Sequence, residues 1–111
     1  MSATPGAGPL IDVHAHFYHE GSSRPDWAAL NAARFRAGEA MGVTHHVASV
    51  LGSYGRGSPT YFPSPADASA GNDVMHDIAR AEPHRVRWYA TVNPNDTAHA
   101  LAEIERNVAR G

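Results

Sequence analysis

His14 and His16 are the residues of this chain best placed to do chemistry. They close the run Ile11-Asp12-Val13-His14-Ala15-His16, whose apolar start reads as a buried strand. Side chains alternate across a strand, so the two histidines share a face, about 7 Å apart along the backbone. Two neutral imidazoles at that spacing can grip one divalent metal ion. The chain has no cysteine, which excludes disulfides and thiolate sites. A metal must then be held by His, Asp, Glu or water, and Zn²⁺ is the first expectation. Such an ion would polarise a substrate and acidify water toward a pKa of ~7. All nine basic residues are arginine, which removes Schiff-base lysine chemistry.

Around the pair stand candidates with both a functional and a plain reading. Asp12 is expected to share the face of His14, one layer deeper. There it would either accept a hydrogen bond from a ligand histidine or be tied to the backbone. Phe17 and Tyr18 could wall a substrate pocket or pack under a loop. His19 and Glu20 follow in that loop, where solvation is the favoured reading. His45 and His46 should point to opposite faces of a second strand, one to a helix and one to the interior, in structural roles. Arg56 could bind a substrate carboxylate through two parallel hydrogen bonds, with Tyr54 and Tyr61 stacking on a ring; the plain reading is a flexible loop. Asn93 ends a third strand and is either a pocket residue or turn chemistry beside Pro94. His76, His84 and His99 read as solvated.

The elements that must position these groups alternate regularly. Leu10 to His16 is the first strand. Helix-start residues follow at Ser22 to Asp26, with Pro25 suited to a first turn. Trp27, Leu30, Ala33, Ala37 and Met41 recur at helical spacing, and Gly42 suits the left-handed residue that ends a helix. Val43 to Leu51 is the second strand. Residues 52–71 are rich in Gly, Ser and Pro and read as a loop. Asn72 can cap a helix carrying Val74, Met75 and Ile78. Val86 to Val92 is the third strand, and Asp96 can cap a last helix whose apolar stripe is Leu101, Ile104 and Val108. Arg106 and Arg110 sit near its C-terminus, where the dipole favours cations. Strand and helix alternate three times, which implies parallel strands joined by right-handed crossovers.

Composition bounds the answer further. The chain has 111 residues, 42% of them hydrophobic and 18% charged, as in a globular domain. No apolar run approaches the ~20 residues a membrane helix needs, so no membrane partner is expected. Net charge is −2 with no basic stripe, which argues against nucleic acid. Residues 1–9 read as a loose tail without signal-peptide character, and a cytoplasmic location is the default expectation.

The run Ile11-Asp12-Val13-His14-Ala15-His16-Phe17 resembles the first-strand D-x-H-x-H motif of the amidohydrolase superfamily. More narrowly it is similar to the amidohydrolase-related branch that includes aminocarboxymuconate-semialdehyde-type decarboxylases and several hydrolases. Gly71-Asn72-Asp73, then Ala81-Glu82-Pro83-His84-Arg85-Val86, resembles that branch's helix-to-strand segment. Ala90-Thr91-Val92-Asn93-Pro94 followed by Asp96 resembles its third-strand exit. The resemblance implies an eight-unit (β/α) barrel of which residues 10–111 would form the first three units. It also implies that the remaining metal ligands, and the group that moves the proton, come from strands not represented here. His45-His46 departs from the family pattern at the second strand.

Three functions compete. The first is a metal-dependent hydrolase acting on a small carboxylated or cyclic substrate, or the N-terminal piece of one. Non-oxidative decarboxylation by the same ligands is its alternative within the branch. The second is an inactive fragment or interaction module: three parallel strands leave two open edges that invite homo-oligomers or edge-strand pairing. A metal-dependent deoxyribonuclease or phosphoesterase of the same superfamily is the third, and the charge balance fits it less well.

Overall fold

The computed structural model describes residues 8–20, 24–50 and 63–111. It contains β1 (Ile11–Phe17), α1 (Trp27–Ala40), β2 (His45–Val50), α2 (Pro65–Ala81), β3 (Val86–Trp88) and α3 (Thr97–Arg110). The strands form one parallel sheet in the order β1-β2-β3. The α/β class and the open three-stranded parallel sheet agree with the alternation in the sequence. No helix among the described residues is long and apolar enough to cross a membrane.

One face of the sheet carries the core. Ala15 and Phe17 of β1, Ala48 and Val50 of β2 and Val86 of β3 are buried there with Met75 of α2. Phe35, Val74, Ile78 and Trp88 pack against them. These residues alternate with the more exposed His14, His16, Val47 and Ser49, which occupy the other face. No described element covers that second face.

Several boundaries differ from the sequence expectation. α2 starts at Pro65, not at Asn72. Ser64 caps it, its Oγ accepting from the Asp67 N–H at 3.1 Å, and Pro65 sits in the first turn. The Gly, Ser and Pro content suggested a loop, but Ala66, Ala68 and Ala70 are strong helix formers once that cap is made. Asn72 therefore lies inside α2. Asp96 stands at the start of α3 without a capping hydrogen bond from its side chain. Gly42 does take the left-handed conformation after α1, with φ +79°.

The faces of the helices differ more. On α1 the inward positions are Asn31, Phe35 and Gly38, one residue out of phase with the expected stripe, and Met41 is exposed. Asn31 is drawn inward because its amide serves the backbone: Oδ1 accepts from Tyr18 N–H at 2.8 Å and Nδ2 donates to Tyr18 O at 3.0 Å. Gly38 faces inward because His46 lies against it; a Cβ there would stand 2.8 Å from the His46 ring. On α3 the expected apolar stripe of Leu101, Ile104 and Val108 points to solvent, and Ala100, Glu103 and Asn107 face inward. Arg106 and Arg110 pair with Glu103 and Asp73 rather than simply meeting the helix dipole.

A polar seam joins α2, α3 and the exit of β3. The Asn72 amide clamps Thr91, donating to its carbonyl at 2.9 Å and accepting from its N–H at 2.8 Å. It also donates to Glu103 at 3.0 Å. Glu103, buried at 4% exposure, further accepts from Ser69, Asn107 and Arg106. The Arg106 guanidinium, against the cost of burial and with help from these donors, holds the Glu103 carboxyl at a pKa of about 2.

Candidate metal centre

His14 and His16 stand side by side near the C-terminal end of β1 on the uncovered face. Their ring centroids are 4.8 Å apart, and the planes meet at 70°. The Nε2 atoms approach to 3.1 Å. That is shorter than twice a ~2.1 Å zinc–nitrogen bond, so one ion can touch both. Without an ion, the contact has the length of a hydrogen bond between the two rings. Burial lowers the pKa of His16, and the neighbouring His14 and Arg34 push the same way. The Ser49 main chain and Asp12 act against them. The lowered pKa favours the neutral ring, the form with a lone pair to offer a cation.

Ser49 is the partner of His16 across the β1–β2 register, and its Oγ lies 3.2 Å from His16 Nδ1. Tyr89 follows β3, extends the ladder through its N–H to Ala48 O at 2.8 Å, and donates its phenol to Val13 O at 3.3 Å. Sequence reasoning missed both. The signal was alternation: Ser49 is two residues beyond Val47, and Tyr89 is next to core-packed Trp88.

Asp12 does not share the face of His14. From Asp12 to Ala15 β1 advances three residues while β2 advances two, from His46 to Ala48. The bulge turns Asp12 to the side of α1, where it lines a groove with Arg34, Gly38 and His46. Its Oδ1 accepts from the His14 main-chain N–H at 3.1 Å. It thus steadies the bulge that aims His14, and no histidine ring is its hydrogen-bond partner there.

Phe17 is a core residue, packed beneath the sheet on the face opposite His16. It is fully buried, 5.2 Å from the Phe35 ring, because position 17 alternates with His16. Tyr18 lines the same α1-side groove as Asp12, with the Arg24 guanidinium 5.7 Å from its ring centre. Asn93 does turn chemistry: Oδ1 accepts from Asn95 N–H at 2.9 Å and Nδ2 donates to Pro63 O at 3.1 Å. Arg56, Tyr54 and Tyr61 lie outside the described residues.

The other histidines divide. His19 is buried at 3% exposure, against the expected solvated loop, whereas Glu20 is exposed. His45 and His46 do point to opposite faces. His45 Nδ1 lies 2.7 Å from Thr44 Oγ1. His46 is buried between Phe17 and Phe35, and burial lowers its pKa. His84 is exposed as expected. His76 is half-buried against Trp88, and His99 Nε2 lies 3.1 Å from Ser69 Oγ.

Among the described residues, no group of three or more His, Cys, Asp or Glu side chains is gathered to hold a metal ion. The pair is therefore a two-point site. No protein-family model matches the chain, and searches of curated proteins and of solved structures give no match.

Proposed function

We propose that His14 and His16 supply two ligands of a divalent metal centre in a metal-dependent hydrolase of the amidohydrolase-related type. Zn²⁺ is the ion the donor set suits best, since neutral imidazole nitrogens are among its preferred ligands. The observation that carries the reading is the convergence of the two Nε2 atoms to 3.1 Å on the uncovered face of the sheet.

The remaining ligands are water or groups beyond the described residues, as the motif resemblance implies. When bound, the ion would supply Lewis acidity for hydrolysis of a C–N or C–O bond in a small carboxylated or cyclic substrate. This chain's own contribution is orientation. The β1 strand sets the two rings on one face, Asp12 steadies the bulge before them, and pairing with β2 holds the strand in register. The same two ligands would serve decarboxylation, so the product decides between the reactions.

Zinc and cobalt titrations of the protein test the ligand assignment. The expected result is uptake that is lost in His14→Ala and in His16→Ala. Assays for ammonia, acid or CO₂ release then separate hydrolysis from decarboxylation. Absence of metal uptake, or uptake unchanged in both variants, overturns the reading.

A further inference from the structure

We propose that the groove between α1 and the start of β1 binds a free apolar α-amino acid, with Arg34 taking its carboxylate and Asp12 its ammonium. The groove lies on the α1 side of the sheet, away from the His14 and His16 rings, and the proposal does not rest on the metal reading.

The groove measures about 500 Å³, within the ~300–1,000 Å³ of small-molecule clefts. Leu30, Ala33, Ala37 and Met41 of α1 give it an apolar wall, and Met41 is left 76% exposed. His46, only 4% exposed, also lines it. A Cβ on residue 38 would stand 2.8 Å from His46 Cε1 and 3.0 Å from Nε2, so glycine leaves that edge of the ring uncovered. His46 Nδ1 is buried without a hydrogen-bond partner, and Nε2 has none among the described residues. The ring can therefore meet a polar ligand atom at its Nε2 edge.

Two opposite charges line the same groove without pairing with each other. The Arg34 guanidinium lies 5.8 Å from the Phe17 ring centre and makes no ion pair or hydrogen bond among the described residues. Asp12 gives Oδ1 to the His14 main chain and leaves its other oxygen without a partner there. Both charges reach the His46 ring, with opposite effects on its proton affinity. Filling the groove takes water from these groups, so the occupant must supply the missing charges. An apolar acid would meet Asp12 as a like charge, and an apolar amine would leave Arg34 unmatched. A zwitterion answers both. Its carboxylate can take two parallel bonds from the guanidinium, while its side chain covers Leu30 and Met41.

Calorimetric and NMR titrations of the metal-free protein with L-leucine, L-methionine and L-phenylalanine test this. Removing metal beforehand keeps chelation at the histidine pair out of the signal. At least one of the three is expected to bind and to shift the amides of Leu30, Ala33 and Arg34. The matching acid and the matching amine, each with one charge, should bind about 10-fold or more weaker. Arg34→Gln should weaken amino-acid binding about 10–100-fold and leave the amine unaffected. Asp12→Asn, which can still accept from the His14 main chain, should weaken the amino acid and not the acid. Ala33→Phe, at a half-buried position on the wall, should abolish binding with the circular-dichroism melt kept. Failure of all three amino acids to bind, equal affinity for the matching acid or amine, or unchanged binding in Arg34→Gln overturns the proposal.

Discussion

His14 Nε2 and His16 Nε2 lie 3.1 Å apart on one face of β1, a separation at which the two rings act as one unit. Units of this kind are non-additive. Each single substitution to alanine is expected to weaken zinc binding on the order of 100-fold or more, because one imidazole alone loses the chelate. The double variant should lose only a few-fold more than the worse single one. A double-mutant cycle measured by competition titration checks this, and additive losses would mean that the rings do not share an ion.

Two asparagines do the same work at two strand exits. Asn31 of α1 clamps the main chain of Tyr18, and Asn72 of α2 clamps that of Thr91. Replacing either by alanine orphans both a main-chain N–H and a carbonyl. Asn31→Ala is expected to cost about 1–3 kcal/mol in urea denaturation. Asn72→Ala should cost more, since Glu103 also loses a buried donor.

Glu103 gives the protein an acid limb. Its folded pKa of about 2 lies below the ordinary 4.5, so the unfolded chain takes up the proton first. The stabilisation is complete above about pH 4.5 and is lost as pH falls toward 2, at most roughly 3 kcal/mol. Glu103→Gln should be less stable at pH 7 and should show a flatter stability profile between pH 2 and 4.5. A variant with the wild-type slope would place the acid sensitivity elsewhere.

His46 acts in a different window. Burial lowers its pKa below 6.5, so the unfolded state binds the proton more readily. Stability is full above about pH 6.5 and declines as pH drops below it. His46→Leu is expected to shrink this decline between pH 6.5 and 5, read from melting temperatures across that range, and to leave the part that His16, whose pKa is lowered too, contributes.

Gly38 tests the packing around the same ring. In a helix Gly→Ala normally stabilises by about 0.5–1 kcal/mol. Here the new Cβ would stand 2.8 Å from His46 Cε1, and the ring is held between Phe17 and Phe35. Gly38→Ala is therefore expected to be net destabilising by about 1–3 kcal/mol. A rise in melting temperature would show that the ring can move.

The sequence by itself determined the order of elements, the parallel sheet and the shared face of His14 and His16. Those features follow from local periodicity: alternation in strands and repeats of three and four in helices need no knowledge of neighbours. Tertiary structure decided which way the polar groups turned. The inward faces of α1, α2 and α3 carry Asn31, Asn72 and Glu103 with Asn107, because main-chain groups at strand exits and a buried carboxylate need partners that apolar residues cannot give. A single bulge in β1 moved Asp12 away from His14, and register with β2 delivered Ser49 to His16. A bulge and an inter-strand register leave no periodic trace, since each is set by the pairing of residues more than thirty positions apart.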